Sequence, residues 1–154
     1  MASGLAAGWR YPFGVPASFR PESIGGAGPA ASSGQIDYRL IRRHTVDEFR
    51  RGRLSRRDVC DAHPELLRAA RNVGRASALE CPICEESPLV MVSFAFGSRL
   101  PAGGRCVVTQ KEMAKLSQRS DASTCYVVEV CPGCAWNHLV RTFPVGGRTR
   151  ASRT

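Results

Sequence analysis

Two short segments carry the chemistry of this chain: Cys81-Pro82-Ile83-Cys84 and Cys131-Pro132-Gly133-Cys134. Two thiolates three residues apart can turn inward around one tight loop and reach a single ion. Pro82 and Pro132 help fix that turn, and Gly133 is expected to supply a positive φ where the backbone curls. Two such loops offer four sulfurs, the tetrahedral donor set that Zn²⁺ takes at about 2.3 Å. The expectation is one structural Zn²⁺ held by Cys81, Cys84, Cys131 and Cys134. Four cysteines close the coordination sphere, whereas a catalytic zinc keeps a position open for water. An iron–sulfur cluster also takes four cysteines, so spacing alone leaves iron open. A redox dithiol would present one Cys-x-x-Cys at a helix start in a βαβ setting, which fits less well.

The other three of the seven cysteines and the three histidines have plainer readings. Cys60, Cys106 and Cys125 stand outside the paired spacing, and Cys60 and Cys125 read as small buried hydrophobes. His44 reads as an ordinary helix residue and His63 as a cap or surface residue. His138 lies near the second Cys pair and is placed to hydrogen-bond a ligand sulfur. No nucleophile elbow, phosphate loop, HExxH or deaminase pattern is present, and the carboxylates are scattered. The expectation is a protein that is not an enzyme.

The elements that must position the cysteines change period along the chain. Residues 1–34 are rich in Gly, Ala, Pro and Ser without helical or strand period, and read as a disordered extension whose aromatics are Trp9, Tyr11, Phe13 and Phe19. Ile36, Leu40, Ile41 and Phe49 recur at near-helical spacing and predict a helix over 36–51, with Gly52 at its end. Ser55 with Asp58 forms a capping box for a short second helix. Asp61 or His63 caps a third, with Pro64 in its first turn and Gly74 as its stop. Residues 35–76 are thus an Arg-rich helical segment. From 77 to 145 strands take over, at Leu89–Phe96, Thr124–Val130 and Trp136–Phe143. In the last, Trp136, His138 and Val140 share one face, and Asn137, Leu139 and Arg141 the other. Thr109 with Glu112 opens a helix over 110–119. The 46 residues between the Cys pairs exceed a minimal zinc ribbon, and this helix fills much of the excess. The fold expected is α+β: an N-terminal helical segment packed against a zinc ribbon, a three-stranded antiparallel sheet with a helical insertion.

The 154 residues suit one ordinary domain, and no apolar run approaches the ~20 residues of a membrane helix. The first residues lack a basic start and an uninterrupted apolar core, so no secretory signal is read and a reducing, cytoplasmic setting is expected. Net charge is +9, from twenty Arg and two Lys against thirteen acids. The excess is concentrated in 36–76, with eleven Arg against six acids, and in the basic, disordered-looking tail 146–154. Residues 77–143 are balanced, six against six. Such asymmetry marks a surface for nucleic acid or an acidic protein; a solvated, Arg-rich helix face is the plainer alternative.

A likeness accompanies these residues. Val59-Cys-Asp-Ala-His-Pro-Glu-Leu-Leu-Arg-Ala-Ala70, then Glu80-Cys-Pro-Ile-Cys84, then the run from Val127 to Phe143 resemble small actinobacterial proteins of the family labelled domain of unknown function 5318. The likeness covers about 35–145, which agrees with reading 1–34 as an extension. It implies an actinobacterial, cytoplasmic, ribbon-containing protein whose cysteine pairs are Cys81/Cys84 and Cys131/Cys134. It implies no activity, substrate or partner.

The function expected is a non-catalytic zinc-ribbon binding protein, an adaptor on nucleic acid or on a nucleic-acid machine such as the ribosome or RNA polymerase. Arg42, Arg43, Arg50, Arg51, Arg53, Arg56 and Arg57 would meet phosphates, and an exposed Trp136 would stack on a base, although such a residue is more often core. The alternative is a protein–protein interaction module without nucleic-acid contact; a thiol or redox enzyme stands third. Oligomeric state is left open.

Overall fold

A computed structural model describes residues 34–147. The expectations for 1–33 and for most of the 146–154 tail lie outside the described residues. The element order is β1 (Ile36–Asp37), α1 (Arg39–Arg50), α2 (Arg56–Val59), α3 (Pro64–Val73), β2 (Arg75–Glu80), β3 (Pro88–Gly97), β4 (Arg105–Cys106), α4 (Gln110–Ser117), β5 (Ala122–Val130) and β6 (Asn137–Gly146).

The architecture is α+β, as the change of period predicts. The antiparallel sheet has six strands rather than the three expected, in the order β1-β6-β5-β3-β2, with β4 pairing β3 beside β2. The expected strands form its centre. The additions are edges. β1 takes Ile36 and Asp37 out of the predicted helix and pairs them with Thr142 and Arg141, and α1 starts only at Arg39. β2, Arg-Ala-Ser-Ala-Leu-Glu, is almost wholly exposed and shifts register between Ala76 and Glu80. The sheet therefore draws strands from both the Arg-rich segment and the part that follows it.

Both faces of the two central strands are used. Val90, Val92 and Phe94 on β3 and Tyr126, Val128 and Val130 on β5 gather with Leu66 and Ala70 of α3. The opposite parity divides into two clusters. Leu89 joins Val46 of α1, Val59 of α2 and Trp136. Ala95 and Cys125 join Leu116 of α4, Val107 and Val145. Between these, Met91, Ser93 and Val127 form part of the lining of a cleft of about 300 Å³ to which Arg75 and Arg141 contribute.

The caps follow their residues. Ser55 and Asp58 form the predicted capping box on α2, Thr109 and Glu112 that on α4. At α3, His63 rather than Asp61 caps, its Nδ1 accepting from the Glu65 N–H at 3.2 Å. Gly52 follows α1 at φ +75°, a conformation that costs a side chain strain.

One register shift corrects the facing of β6. Val128 pairs Leu139 but Val127 pairs Arg141, which leaves Val140 as the extra residue of a bulge. Simple alternation put Leu139 and Arg141 on one face. The bulge instead turns Leu139 toward α3 and returns Arg141 to the face of His138.

Candidate metal centre

The two Cys-x-x-Cys loops lie at one end of the sheet. The first follows β2 and leads to β3; the second joins β5 to β6. They close alike. The Cys81 carbonyl accepts from the Glu85 N–H at 3.0 Å, and the Cys131 carbonyl from the Ala135 N–H at 2.9 Å. The Cys81 N–H donates to the Ser87 carbonyl and the Cys131 N–H to the Trp136 carbonyl, at 2.9 and 2.8 Å. The Ile83 N–H donates to Cys81 Sγ and the Cys134 N–H to Cys131 Sγ, both at 3.4 Å. Such bonds favour the thiolate form of a ligand.

The positive φ that the turn demands falls elsewhere than on Gly133. It falls on the residue after the second cysteine of each loop, Glu85 at +57° and Ala135 at +69°. Neither is a glycine, so each loop stores some strain, and this strain sits at equivalent places in both. Gly133 is needed for room. A Cβ there would come within 2.6 Å of Ser87 Oγ.

The four sulfurs of Cys81, Cys84, Cys131 and Cys134 all lie within 4.8 Å of one another. Across the loops, Cys81 Sγ is 3.6 Å from Cys134 Sγ, and Cys84 Sγ is 3.7 Å from Cys131 Sγ. A tetrahedron with metal–sulfur bonds of 2.3 Å has edges of roughly 3.8 Å. The residues therefore fit a single metal ion. Cys81 and Cys131 are buried, while Cys84 and Cys134 are half-exposed. Burial pushes the Cys134 thiol up to about 12 and the Cys81 thiol well above its ordinary value. At Cys84 burial acts in the same direction, but the Glu86 N–H and the neighbouring thiols outweigh it and hold the group at about 7.

A shell drawn from the Arg-rich segment and from the residues flanking the loops encloses them. Val46, Val59, Leu89 and Trp136 are buried around Cys81 and Cys131, and Phe49, Leu54 and Ile83 pack against them. The second loop is tied directly to that segment. The Ala62 N–H donates to the Ala135 carbonyl at 3.0 Å, and Asn137 Nδ2 donates to Asp61 Oδ1 at 3.0 Å. Sequence reasoning missed a fifth thiol here. Cys60, at the end of α2, places its Sγ 3.6 Å from Cys134 Sγ. The isolated position of Cys60 in the sequence carries no ligand signal; only the packing of α2 on the second loop brings it in. Cys106 and Cys125 lie away from the site, in the clusters under α3 and α4.

The proposed contact surface is largely committed to the fold. Arg42 Nε donates to the buried carboxylate of Glu129 at 2.5 Å. Arg51 and Arg53 meet the two oxygens of Glu48 at 3.4 and 3.3 Å. Desolvation acts to lower the pKa of the exposed Arg56 guanidinium, but Cys134 and Cys60 in their thiolate forms raise it overall. Arg43, Arg50 and Arg57 have no carboxylate partner among the described residues. Trp136 is 1% exposed and donates from Nε1 to Glu129 Oε1 at 3.0 Å, so the expectation that it stacks on a base is corrected. His138 is buried too. Its ring lies parallel to Trp136, with centroids 5.8 Å apart, and its Nδ1 is 2.7 Å from the Leu139 carbonyl, not at a ligand sulfur.

Among the described residues no helix is long and apolar enough to cross a membrane. A family model described as "Family of unknown function (DUF5318)" matches residues 31–154. Uncharacterized proteins of Mycobacterium bovis and of two strains of Mycobacterium tuberculosis are 42% identical over 111 residues, covering 72% of this chain and 81% of theirs. No solved structure matches the chain significantly.

Proposed function

The chain belongs to the family of unknown function DUF5318, and we propose that it is a non-catalytic adaptor stapled by one structural zinc ion on Cys81, Cys84, Cys131 and Cys134. The observation that carries this reading is the closed set of four sulfurs at 3.6–3.7 Å across the loops. A multi-iron cluster interposes metal and sulfide between its thiolates and needs them further apart, so the spacing favours a single ion. Four protein ligands leave no position for water, which supports a structural role over a catalytic one. Element analysis of the purified chain tests it. One zinc per chain is expected, held far more weakly or lost in Cys131→Ser; stoichiometric iron or no metal in the wild-type chain would overturn the assignment.

The partner we propose is nucleic acid or a nucleic-acid machine, met by Arg43, Arg50 and Arg57 on α1 and α2. Support comes from the charge excess of this segment and from the lack of an ion-pair carboxylate for these three among the described residues. Three phosphate contacts give a log–log salt slope of only about −3 on duplex DNA. Anisotropy with a labelled duplex and a labelled single-stranded RNA, between 50 and 200 mM salt, reads it. A slope of that size, abolished in a triple Gln variant of the three, is expected. The commitment of Arg42, Arg51 and Arg53 to carboxylates favours the second reading, a protein-interaction module. Its signature is binding to one protein that survives nuclease and high salt.

A further inference from the structure

We propose that Cys60 is a fifth thiol of the metal centre: it hydrogen-bonds the Cys134 sulfur when the site is loaded and takes over that coordination position when Cys134 is lost. The inference rests on the reading that Cys81, Cys84, Cys131 and Cys134 hold one zinc ion.

The geometry carries it. Cys60 Sγ is 3.6 Å from Cys134 Sγ, the same separation as between the ligand sulfurs Cys81 and Cys134. Cys60 is half-buried and packs against the cluster that encloses Cys81 and Cys131, so its side chain is held at the site. Zinc takes four thiolates, so Cys60 does not join the filled set. As a neutral thiol beside a full site it donates S–H to the Cys134 thiolate, an outer bond that orients that ligand.

The Cys60 sulfur stands outside the set of four that lie within 4.8 Å of one another, so the exchange carries it inward from the end of α2. Cys60 closes α2, its N–H on the Arg56 carbonyl at 2.9 Å, and is followed by the short non-helical stretch before Pro64. With the Cys134 sulfur absent, one Zn–S bond to Cys60 forms and the Cys60 proton leaves to the buffer. The site returns to four thiolates and the same charge. No other cysteine outside the four has this relation, because Cys106 and Cys125 belong to other clusters.

Cobalt(II) loading of the full chain under reducing conditions tests this, since the thiolate-to-cobalt charge-transfer intensity counts the sulfurs bound. The Cys134→Ser variant is expected to bind one cobalt with four-thiolate intensity. Cys131→Ser and the double Cys134→Ser/Cys60→Ser variant are expected to drop to three-thiolate intensity or to lose the ion. Equal intensity for Cys134→Ser and the double variant would overturn the proposal. So would a Cys134→Ser chain that cannot fold with cobalt while Cys60→Ser loads normally. Zinc competition on Cys60→Ser alone reads the outer bond; a loss of roughly tenfold in affinity is expected. Unchanged affinity would remove that half of the proposal. Wild-type chain that binds no cobalt, or Cys84→Ser with an unaltered spectrum, would instead sink the four-thiolate reading itself.

Discussion

Trp136 and Glu129 meet inside the protein, the indole Nε1–H donating to the carboxylate at 3.0 Å, and Arg42 of α1 reaches the same oxygen. Glu129 is two residues before Cys131 and Trp136 two after Cys134, so this contact braces the second loop from within. Arg42 makes the brace depend on the N-terminal segment. Removing one partner of a buried ion pair leaves the other charge uncompensated, at a cost of several kcal/mol. Arg42→Met is therefore expected to lose about 3 kcal/mol in urea unfolding. Arg53→Met, whose long exposed side chain shares Glu48 with Arg51, is expected to lose under about 1 kcal/mol. Similar losses for both would show that Glu129 does not need Arg42.

On the proposed zinc reading, chelation tests how far the fold depends on the metal. Zinc on a four-cysteine site contributes on the order of 10 kcal/mol, comparable to the whole stability of a domain this size. A strong chelator is expected to lower the thermal midpoint by tens of degrees and expose Trp136 to solvent, seen as a red shift of fluorescence. The central strands should loosen with the loops, since β5 runs directly into Cys131. An unchanged midpoint after verified metal removal would mean that the hydrophobic clusters suffice.

The parts of the fold legible in the sequence were those with a local cause. The capping boxes at Ser55 and Thr109, Pro64 in the first turn of α3 and the apolar run of β3 each carry their own signal within a few residues. The Cys pairs were legible because ligand spacing is local within each loop and the two loops are alike. What escaped depends on distant partners. β1 is two residues held by β6, and β2 is a polar strand that only its pairing with β3 defines. The bulge at Val140 reverses the expected facing of Arg141, since periodicity has no means of counting an extra residue. Trp136 was open to both a core and a base-stacking reading, because its buried partner Glu129 is itself a charged residue, and burial of such a pair leaves no hydrophobic pattern. Cys60 reaches Cys134 only through the packing of α2.

Gly74 and Gly52 give a paired test of space against conformation. Gly74 ends α3 at an ordinary φ of −65°, yet a Cβ there would lie 2.0 Å from Val90 Cγ1 and 2.4 Å from the Ala70 carbonyl. Val90 sits on a central strand, so Gly74→Ala must push α3 off the sheet, and a loss of about 2–3 kcal/mol is expected. Gly52 has φ +75° with nothing within 4 Å of its Cβ position. Gly52→Ala meets only backbone strain, and about 1 kcal/mol is expected. Unfolding in urea compares the two; a larger loss at Gly52 would contradict the packing described for α3.

His138 sets a pH dependence whose sign is determined by burial. Its imidazole is pushed down to about 4 from an ordinary 6.5, first by burial and further by the Arg42 charge, against the opposing bond to the Leu139 carbonyl. In the unfolded chain the group protonates near 6.5, while in the folded chain it stays neutral until about 4. Between those values the unfolded state binds the extra proton, so stability is full above pH 6.5 and falls as pH drops through the window. Below about 4 both states are protonated and this contribution changes no further. The slope for one proton is at most about 1.4 kcal/mol per pH unit, which bounds the total at roughly 3 kcal/mol. Comparing His138→Phe with wild type removes the common effect of acid on the thiolate site. The wild type is expected to lose stability faster between pH 6.5 and 4, with the two profiles parallel above and below that window. Profiles parallel throughout would show that the ring protonates without leaving its place on Trp136.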